Sequence, residues 1–254
     1  MSAPTILDVC SNAGTGADGY ASRGIMPHGR DLFPQPLYPY PFRTGDVLQI
    51  LAGIEPQGHD AIHVSAPCQS HTDARHLRKA QGGESRFDDL LTPSLELLRS
   101  RWSGKPWIAE NVDDRTGHVR AIMAPRAGES LIVLCGSMFG LQVQRHRLFL
   151  ANFPLTPFPS LGAGKYRGQG CRHETFPLDP VSGRPRPWGV YHVKGDSVPA
   201  GGRTARDERH AAEVMGCRRV LPWDNLKEGF PPAYTAHVAD DLLRHLAMRA
   251  QVAA

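Results

Sequence analysis

Thr5-Ile-Leu-Asp-Val-Cys-Ser-Asn-Ala-Gly-Thr-Gly16 is the stretch that decides the fold. Thr5 to Val9 is a short apolar run rich in strand formers, and Ser11 to Gly16 is a loop of small residues. An apolar run of this length, bounded by a glycine turn, reads as a buried strand. A strand feeding such a loop is how an open α/β sheet takes an adenosine-containing ligand at the carboxyl ends of its strands, since glycine lets the backbone come close. Glycine turns after strands are common in α/β proteins, so the stretch needs support from elsewhere in the chain.

That support follows in order. Ala61-Ile-His-Val-Ser65 is a second strand, stopped by Pro67, and Trp107-Ile-Ala109 is a third. Leu131 to Leu134 and Arg147 to Leu150 read as two more. Between Leu90 and Trp102, the residues Leu91, Leu95, Leu98 and Trp102 recur at helical spacing. Tyr234 to Met248 repeats that spacing with Val238, Leu242, Leu243 and Leu246, and is expected to be a final helix. Strands alternating with helical patterns over residues 5–150 predict a parallel α/β sheet.

Composition agrees. A chain of 254 residues, 41% hydrophobic and 21% charged, fits one large domain with or without a small appendage and excludes a mainly disordered chain. No run approaches the length of a membrane span, and the first residues lack the basic start and apolar run of a signal peptide. The five cysteines, at 10, 68, 135, 171 and 217, are odd in number and scattered, which points to a reducing, cytoplasmic setting rather than a disulfide framework. The net charge of +4 is local: from Pro154 to His210 nine Lys and Arg stand against five Asp and Glu, with eight prolines and nine glycines. A basic, irregular segment in an otherwise neutral chain is either a polyanion-binding surface or a solvated loop region.

Three polar features converge on one edge of the expected sheet. The glycine loop is followed about one strand later by Asp31, suited to ribose hydroxyls. In Ser65-Ala-Pro-Cys-Gln69 a cysteine stands just after a strand, where a thiolate nucleophile is reachable, although a lone cysteine is more often a small buried hydrophobe. Ala109-Glu-Asn-Val112 ends a strand with a carboxylate and an amide. Together these make a site more probable than any one alone.

In this order the motifs resemble those of the DNA cytosine-5 methyltransferases, in the compact form found in bacteriophages. The matches are the loop from Asp8 to Gly16, Pro-Cys-Gln at 67–69, Glu-Asn-Val at 110–112, Gln-Arg-His-Arg at 144–147, and Pro231-Pro-Ala-Tyr-Thr235 leading into a helix. Smaller echoes are Pro34-Gln-Pro36, Gly45-Asp46 and Cys135-Gly-Ser-Met-Phe-Gly140. The resemblance implies an α/β, Rossmann-like open sheet of the S-adenosylmethionine-dependent methyltransferase type with a small irregular target-recognition region. It implies a catalytic and cofactor-binding part over 1–153, a basic target-recognition region over 154–206 and a return to the catalytic domain over 207–254.

The resemblance further implies transfer of a methyl group from S-adenosylmethionine to carbon 5 of a cytosine flipped out of double-stranded DNA, by a monomer in the cytoplasm of a host cell, for restriction protection or genome modification. Cys68 would attack carbon 6, Glu110 would hold ring nitrogen 3 and the exocyclic amine, and Arg145 and Arg147 would steer the base and nearby phosphates. Cofactor contacts would come from Asp8, Cys10, Asn12, Ala13, Gly14, Gly16, Asp31, Leu32, Asp46, Pro67 and Tyr234. Substrate contacts would come from Gln69, Ser70, Arg75 and Asn111, with Arg184 and Arg186 in the basic insert. The loop from Ser70 to Arg86 resembles the family's mobile catalytic loop. Cys10, Asn12 and Thr15 depart from the family's usual Phe, Gly and Gly, and Met26-Pro-His-Gly-Arg-Asp31 replaces its apolar strand, with Arg30 expected either to neutralise Asp31 in part or to face another anionic group. These departures leave open a different one-carbon donor, as well as an RNA-directed enzyme or a DNA-binding homologue without catalysis. Cys171 and His173 are two ligand types without a second pair, so no metal is expected.

Overall fold

The computed structural model describes residues 3–53, 58–67, 89–114, 116–162, 169–171, 191–192 and 203–252. Seven strands form one sheet: β1 (Thr5–Val9), β2 (Met26–Asp31), β3 (Phe42–Thr44), β4 (Ala61–Val64), β5 (Trp107–Val112), β6 (Ser130–Leu134) and β7 (Arg147–Ala151), in the order β3-β2-β1-β4-β5-β7-β6. β1 to β5 run parallel, which is the expected open α/β sheet. β7 corrects the all-parallel reading. It enters between β5 and β6 and runs antiparallel to both, because the chain returns from β6 by a short connection with no crossover helix. Strand order reverses between β1 and β4, so their carboxyl ends open the crevice where such sheets bind ligands.

Strand alternation divides the core in two. Ile6, Ala61, Ile108 and Phe149 point to one face, where α1 (Thr15–Ala21) and the final helix, Pro232–Val252, cover them. Leu7, Val9, Ile62, Val64, Ala109, Leu148 and Leu150 point to the other, under α2 (Val47–Gly53) and α3 (Leu91–Arg101). The central strands are buried on both faces, which explains their nearly unbroken apolar sequences. β2 was hidden in the sequence by Pro27 and Gly29. Gly29 is required there, since a Cβ would lie 2.6 Å from the ring of Tyr38.

A short helix, α4 (His118–Ile122), follows β5. The segment after the basic insert returns as α5 (Glu208–Val214), α6 (Trp223–Glu228) and the final helix, now α7. A third small core joins Ala13 of the first loop to Val143, Ala211, Met215 and Leu226. α7 crosses α1 at backbone contact: a Cβ on Gly19 would lie 2.1 Å from the carbonyl oxygen of Pro232, and Thr235 Oγ1 donates to the Gly16 carbonyl at 2.6 Å. A two-residue parallel pair, β8 (Tyr191–His192) with β9 (Arg203–Thr204), stands apart from the main sheet. No helix of the described residues is long and apolar enough to cross a membrane.

Candidate active site

The loop after β1 is bent by left-handed residues, Cys10 at φ 59°, Asn12 at φ 45° and Gly14 at φ 80°. Two of these are not glycine, and such conformations persist only where the surroundings hold them. Asp31, at the end of β2, accepts the Asn12 N–H at 2.9 Å on Oδ2. Asn225 Nδ2 donates to Asn12 Oδ1 at 2.7 Å, and Asn12 Nδ2 donates to Glu228 at 3.2 Å, so α6 grips the loop from outside. Arg219 donates to the carbonyls of Ala13 and Leu37 and pairs with Asp18 at 3.0 Å, closing the same loop against the segment after β2.

The loop glycines serve packing. A Cβ on Gly14 would lie 2.8 Å from Tyr38, and one on Gly16 would lie 2.8 Å from Phe230, so protein rings rather than a ligand take the space that glycine leaves. Negative charge gathers at the loop. Burial pushes the Cys10 thiol well up, and the carboxylates of Asp31, Asp8 and Asp46 push it in the same direction. Glu228 is raised as well, first by burial and then by Asp31 and Asp224. Asp46 caps the start of α2 through one oxygen, accepting the Leu48 and Gln49 N–H groups at 3.0 Å. Arg30 does not neutralise Asp31: alternation along β2 sends the two side chains to opposite faces, and Arg30 Nη1 bonds the Gly29 carbonyl.

A chain of polar groups crosses the buried sheet from this loop. Asp8 and His63 are register partners on β1 and β4, hence on the same face, with His63 Nδ1 3.3 Å from Asp8 Oδ1. Tyr38 donates to the other oxygen of Asp8 at 3.1 Å. His63 Nε2 lies 3.4 Å from Ser65 Oγ, which bonds the carboxyl group of Glu110. Glu110 Oε1 lies 3.1 Å from Arg147 Nε, within ion-pair distance but not aligned as a hydrogen bond. His63 has no exposed surface and stands among Tyr20, Phe149 and Phe230. Burial raises the Glu110 carboxyl above its ordinary range, and Arg147, His63, Arg145 and Ser65 offset only part of that rise. Glu110 therefore holds a proton more readily than an exposed glutamate does.

Several expected contacts are placed differently. Asn111 is buried, its Nδ2 donating to the Ala66 carbonyl at 2.9 Å and its Oδ1 accepting the Val112 N–H at 3.0 Å, so its amide holds the end of β4 rather than facing a substrate. Arg145 is turned inward to the Lys227 carbonyl, and Arg147 is spent on Glu110 and the His146 carbonyl, so neither is an open phosphate contact. Tyr234 is a core residue that stacks on Phe230 and donates to the Arg145 carbonyl at 2.6 Å, on the covered face of the sheet. Asp8 is committed to Tyr38 and His63. Asp31, Cys10, Asn12, Ala13 and Asp46 do come together at the crevice, and Leu32 is exposed beside them. Pro67 closes the described part of the strand end. Cys68, Gln69, Ser70, Arg75, Arg184 and Arg186 lie outside the described residues, as do His173 and the rest of the loop from Ser70 to Arg86. His63 and Tyr38 were missed, although an ionisable residue inside the apolar run Ala61 to Val64 was a signal.

No protein-family model matches the sequence, and no curated protein matches it. Solved structures do match in shape. A methyltransferase from S. pombe, Dnmt2, aligns over 96% of this chain and 99% of its own at 13% identity, with a TM-score of 0.53. A putative DNA modification methyltransferase encoded within an E. coli prophage aligns over 96% and 99% at 14% identity, with a TM-score of 0.54. A Spodoptera frugiperda DNMT2 variant aligns over 94% and 99% at 13% identity, with a TM-score of 0.56. At such identity the likeness is one of fold: the chain has the seven-stranded α/β architecture of these methyltransferases.

Proposed function

We propose that the protein is a DNA cytosine-5 methyltransferase that uses S-adenosylmethionine. The observation that carries the reading is Glu110: buried, its carboxyl raised above the ordinary range by that burial, within ion-pair distance of Arg147, and bonded to Ser65, three residues before Cys68. The ordered motifs from Asp8 to Tyr234 support it, as does the fold shared with a prophage protein described as a putative DNA modification methyltransferase.

The residues at the first loop fit the cofactor. Asp31 uses Oδ2 for the Asn12 N–H, which leaves its other oxygen for a ribose hydroxyl. The carboxylates of Asp8, Asp31 and Asp46 around Cys10 make an acidic crevice that suits a cationic sulfonium. S-adenosylmethionine would supply an electrophilic methyl group there. Cytosine carbon 5 is a poor nucleophile, and this chain's residues make it a better one. The Cys68 thiolate adds to carbon 6, and the protonated Glu110 carboxyl donates to ring nitrogen 3, so the electrons displaced by the sulfur collect at carbon 5. Arg147 keeps Glu110 in place, and Ser65 bonds its carboxyl group and in turn meets His63. After carbon 5 is alkylated it loses its proton to a base, the carbon 6–sulfur bond breaks, and Glu110 regains its proton.

Double-stranded DNA carrying 5-fluorocytosine tests the reading, because the fluorine cannot leave as a proton and the adduct persists. Incubation with S-adenosylmethionine should give a covalent complex that Cys68→Ser abolishes, and unmodified DNA should yield 5-methylcytosine by nucleoside mass spectrometry. Modification of RNA alone, or of carbon 5 only with another donor, would redirect the assignment. Bound DNA with neither adduct nor product would leave a binding protein without catalysis.

A further inference from the structure

We propose that Cys135, His146 and Cys171 form a zinc site that fastens the start of the basic insert to the strand carrying Arg147. Cys135 follows β6, His146 stands just before β7, and Cys171 lies far along the chain, yet their ligand atoms all fall within 4.8 Å of one another. Both thiols are fully buried. His146 Nε2 lies 3.4 Å from Cys171 Sγ, close to the edge of about 3.6 Å that tetrahedral zinc gives between a sulfur and a nitrogen at ordinary bond lengths. Ser137 Oγ donates to Cys135 Sγ at 3.5 Å and lies 3.2 Å from Cys171 Sγ, the kind of outer contact that holds thiolate ligands in place.

The backbone commits Cys171 to this spot. Gly170 is left-handed at φ 87°, and a Cβ there would lie 2.6 Å from Phe158, so the turn that delivers the cysteine is tight on the protein side. Two thiols and an imidazole are a soft donor set that favours zinc over magnesium or calcium. Three protein ligands leave one position of a tetrahedral ion for a further donor. Binding requires both thiols to give up their protons and the imidazole to be neutral, so two protons are released for each ion bound. None of the three ligands is a member of the polar chain that ends at Glu110, and the site stands whether or not the enzymatic reading holds. It differs from the pairing of Cys171 with His173 weighed from the sequence, because only folding brings Cys135 and His146 alongside.

The test uses the full chain, purified under reducing conditions, with metal measured by mass spectrometry after extensive desalting. About one zinc per chain is expected, falling to background in Cys171→Ser and in His146→Ala. Should either variant fail to fold, cobalt(II) added to the chelator-treated wild type reads the ligands directly: intense tetrahedral bands together with thiolate-to-metal charge transfer are expected at one cobalt per chain. Chelation should also lower the unfolding temperature and expose two further thiols to a labelling reagent. A folded wild type that retains no zinc and gives no thiolate–cobalt spectrum would overturn the proposal. So would zinc that persists in both folded variants, or a Cys135–Cys171 disulfide in the protein as purified.

Discussion

Replacing Asn111 by alanine separates two roles for one amide. If Asn111 met the substrate, its loss would weaken DNA binding and leave the fold alone. The geometry instead ties it to the protein at both ends, to the Ala66 carbonyl at 2.9 Å and to the Val112 N–H at 3.0 Å. Asn111→Ala leaves a buried carbonyl without its donor, at about 1–3 kcal/mol, and a half-buried N–H without its acceptor, at the low end of the same range. The sum is about 2–4 kcal/mol. A chain of this size loses about 2–4 °C of unfolding temperature per kcal/mol, so the drop should be about 5–15 °C. Ala66 is two residues before Cys68, so the loosened strand end should also slow adduct formation on 5-fluorocytosine DNA, by about a hundredfold if the thiol shifts by an ångström. Thermal unfolding followed by circular dichroism gives the first number, and single-turnover trapping at saturating DNA gives the second. An unchanged unfolding temperature with a raised KM for DNA would refute the structural role and return Asn111 to the substrate.

Other outcomes follow from the same geometry. Gly19→Ala drives a methyl group to 2.1 Å from the Pro232 carbonyl and should cost about 3 kcal/mol or more, read as an unfolding temperature lower by about 6–12 °C; a fall under about 2 °C would mean the helices do not cross so closely. Because burial holds the Glu110 carboxyl above its ordinary 4.5, despite Arg147, His63, Arg145 and Ser65 around it, the folded state binds the proton more tightly than the unfolded chain does. Glu110 therefore takes stability away as pH rises from about 4.5 through its folded value. Denaturant unfolding should show Glu110→Gln gaining on the wild type over that range, and parallel pH profiles would refute the raised carboxyl. Asp31→Ala should weaken binding of demethylated S-adenosylmethionine by about ten- to a hundredfold in calorimetry, the loss of one charge-assisted hydrogen bond; unchanged affinity would place the cofactor elsewhere.

Much of the scaffold was legible because buried strands leave apolar runs. Thr5–Val9, Ala61–Val64 and Ser130–Leu134 stand close to where their composition put them. β2 escaped because Pro27 and Gly29 erase the pattern, and the need for Gly29 arises only when Tyr38 folds over it. The direction of β7 escaped because an apolar run carries no arrow. At the site, Glu110 was legible as a carboxylate at a strand end, and Asp31 only as an acidic residue about one strand beyond the glycine loop. Arg145, Asn111 and Tyr234 read as contacts because the family resemblance implies it, and it takes the packed chain to show their polar atoms spent on Lys227, Ala66 and Arg145. The polar chain through His63 escaped because residues 8, 63 and 110 stand on three different strands, and only strand order and register bring them to one face.

The crossing of the first and last helices also sets a timetable for synthesis. Gly16 and Thr235 meet across 219 residues of sequence. A ribosome adding about 5–20 residues per second makes the second of these roughly 11–44 s after the first. Until then the face of the sheet bearing Ile6 and Phe149 lacks the cover of α7, and Asn12 lacks α6 to hold it. A half-made chain is thus an apolar surface looking for cover, a natural client for chaperones, and the crevice takes its final form only when the last helix has cleared the exit tunnel.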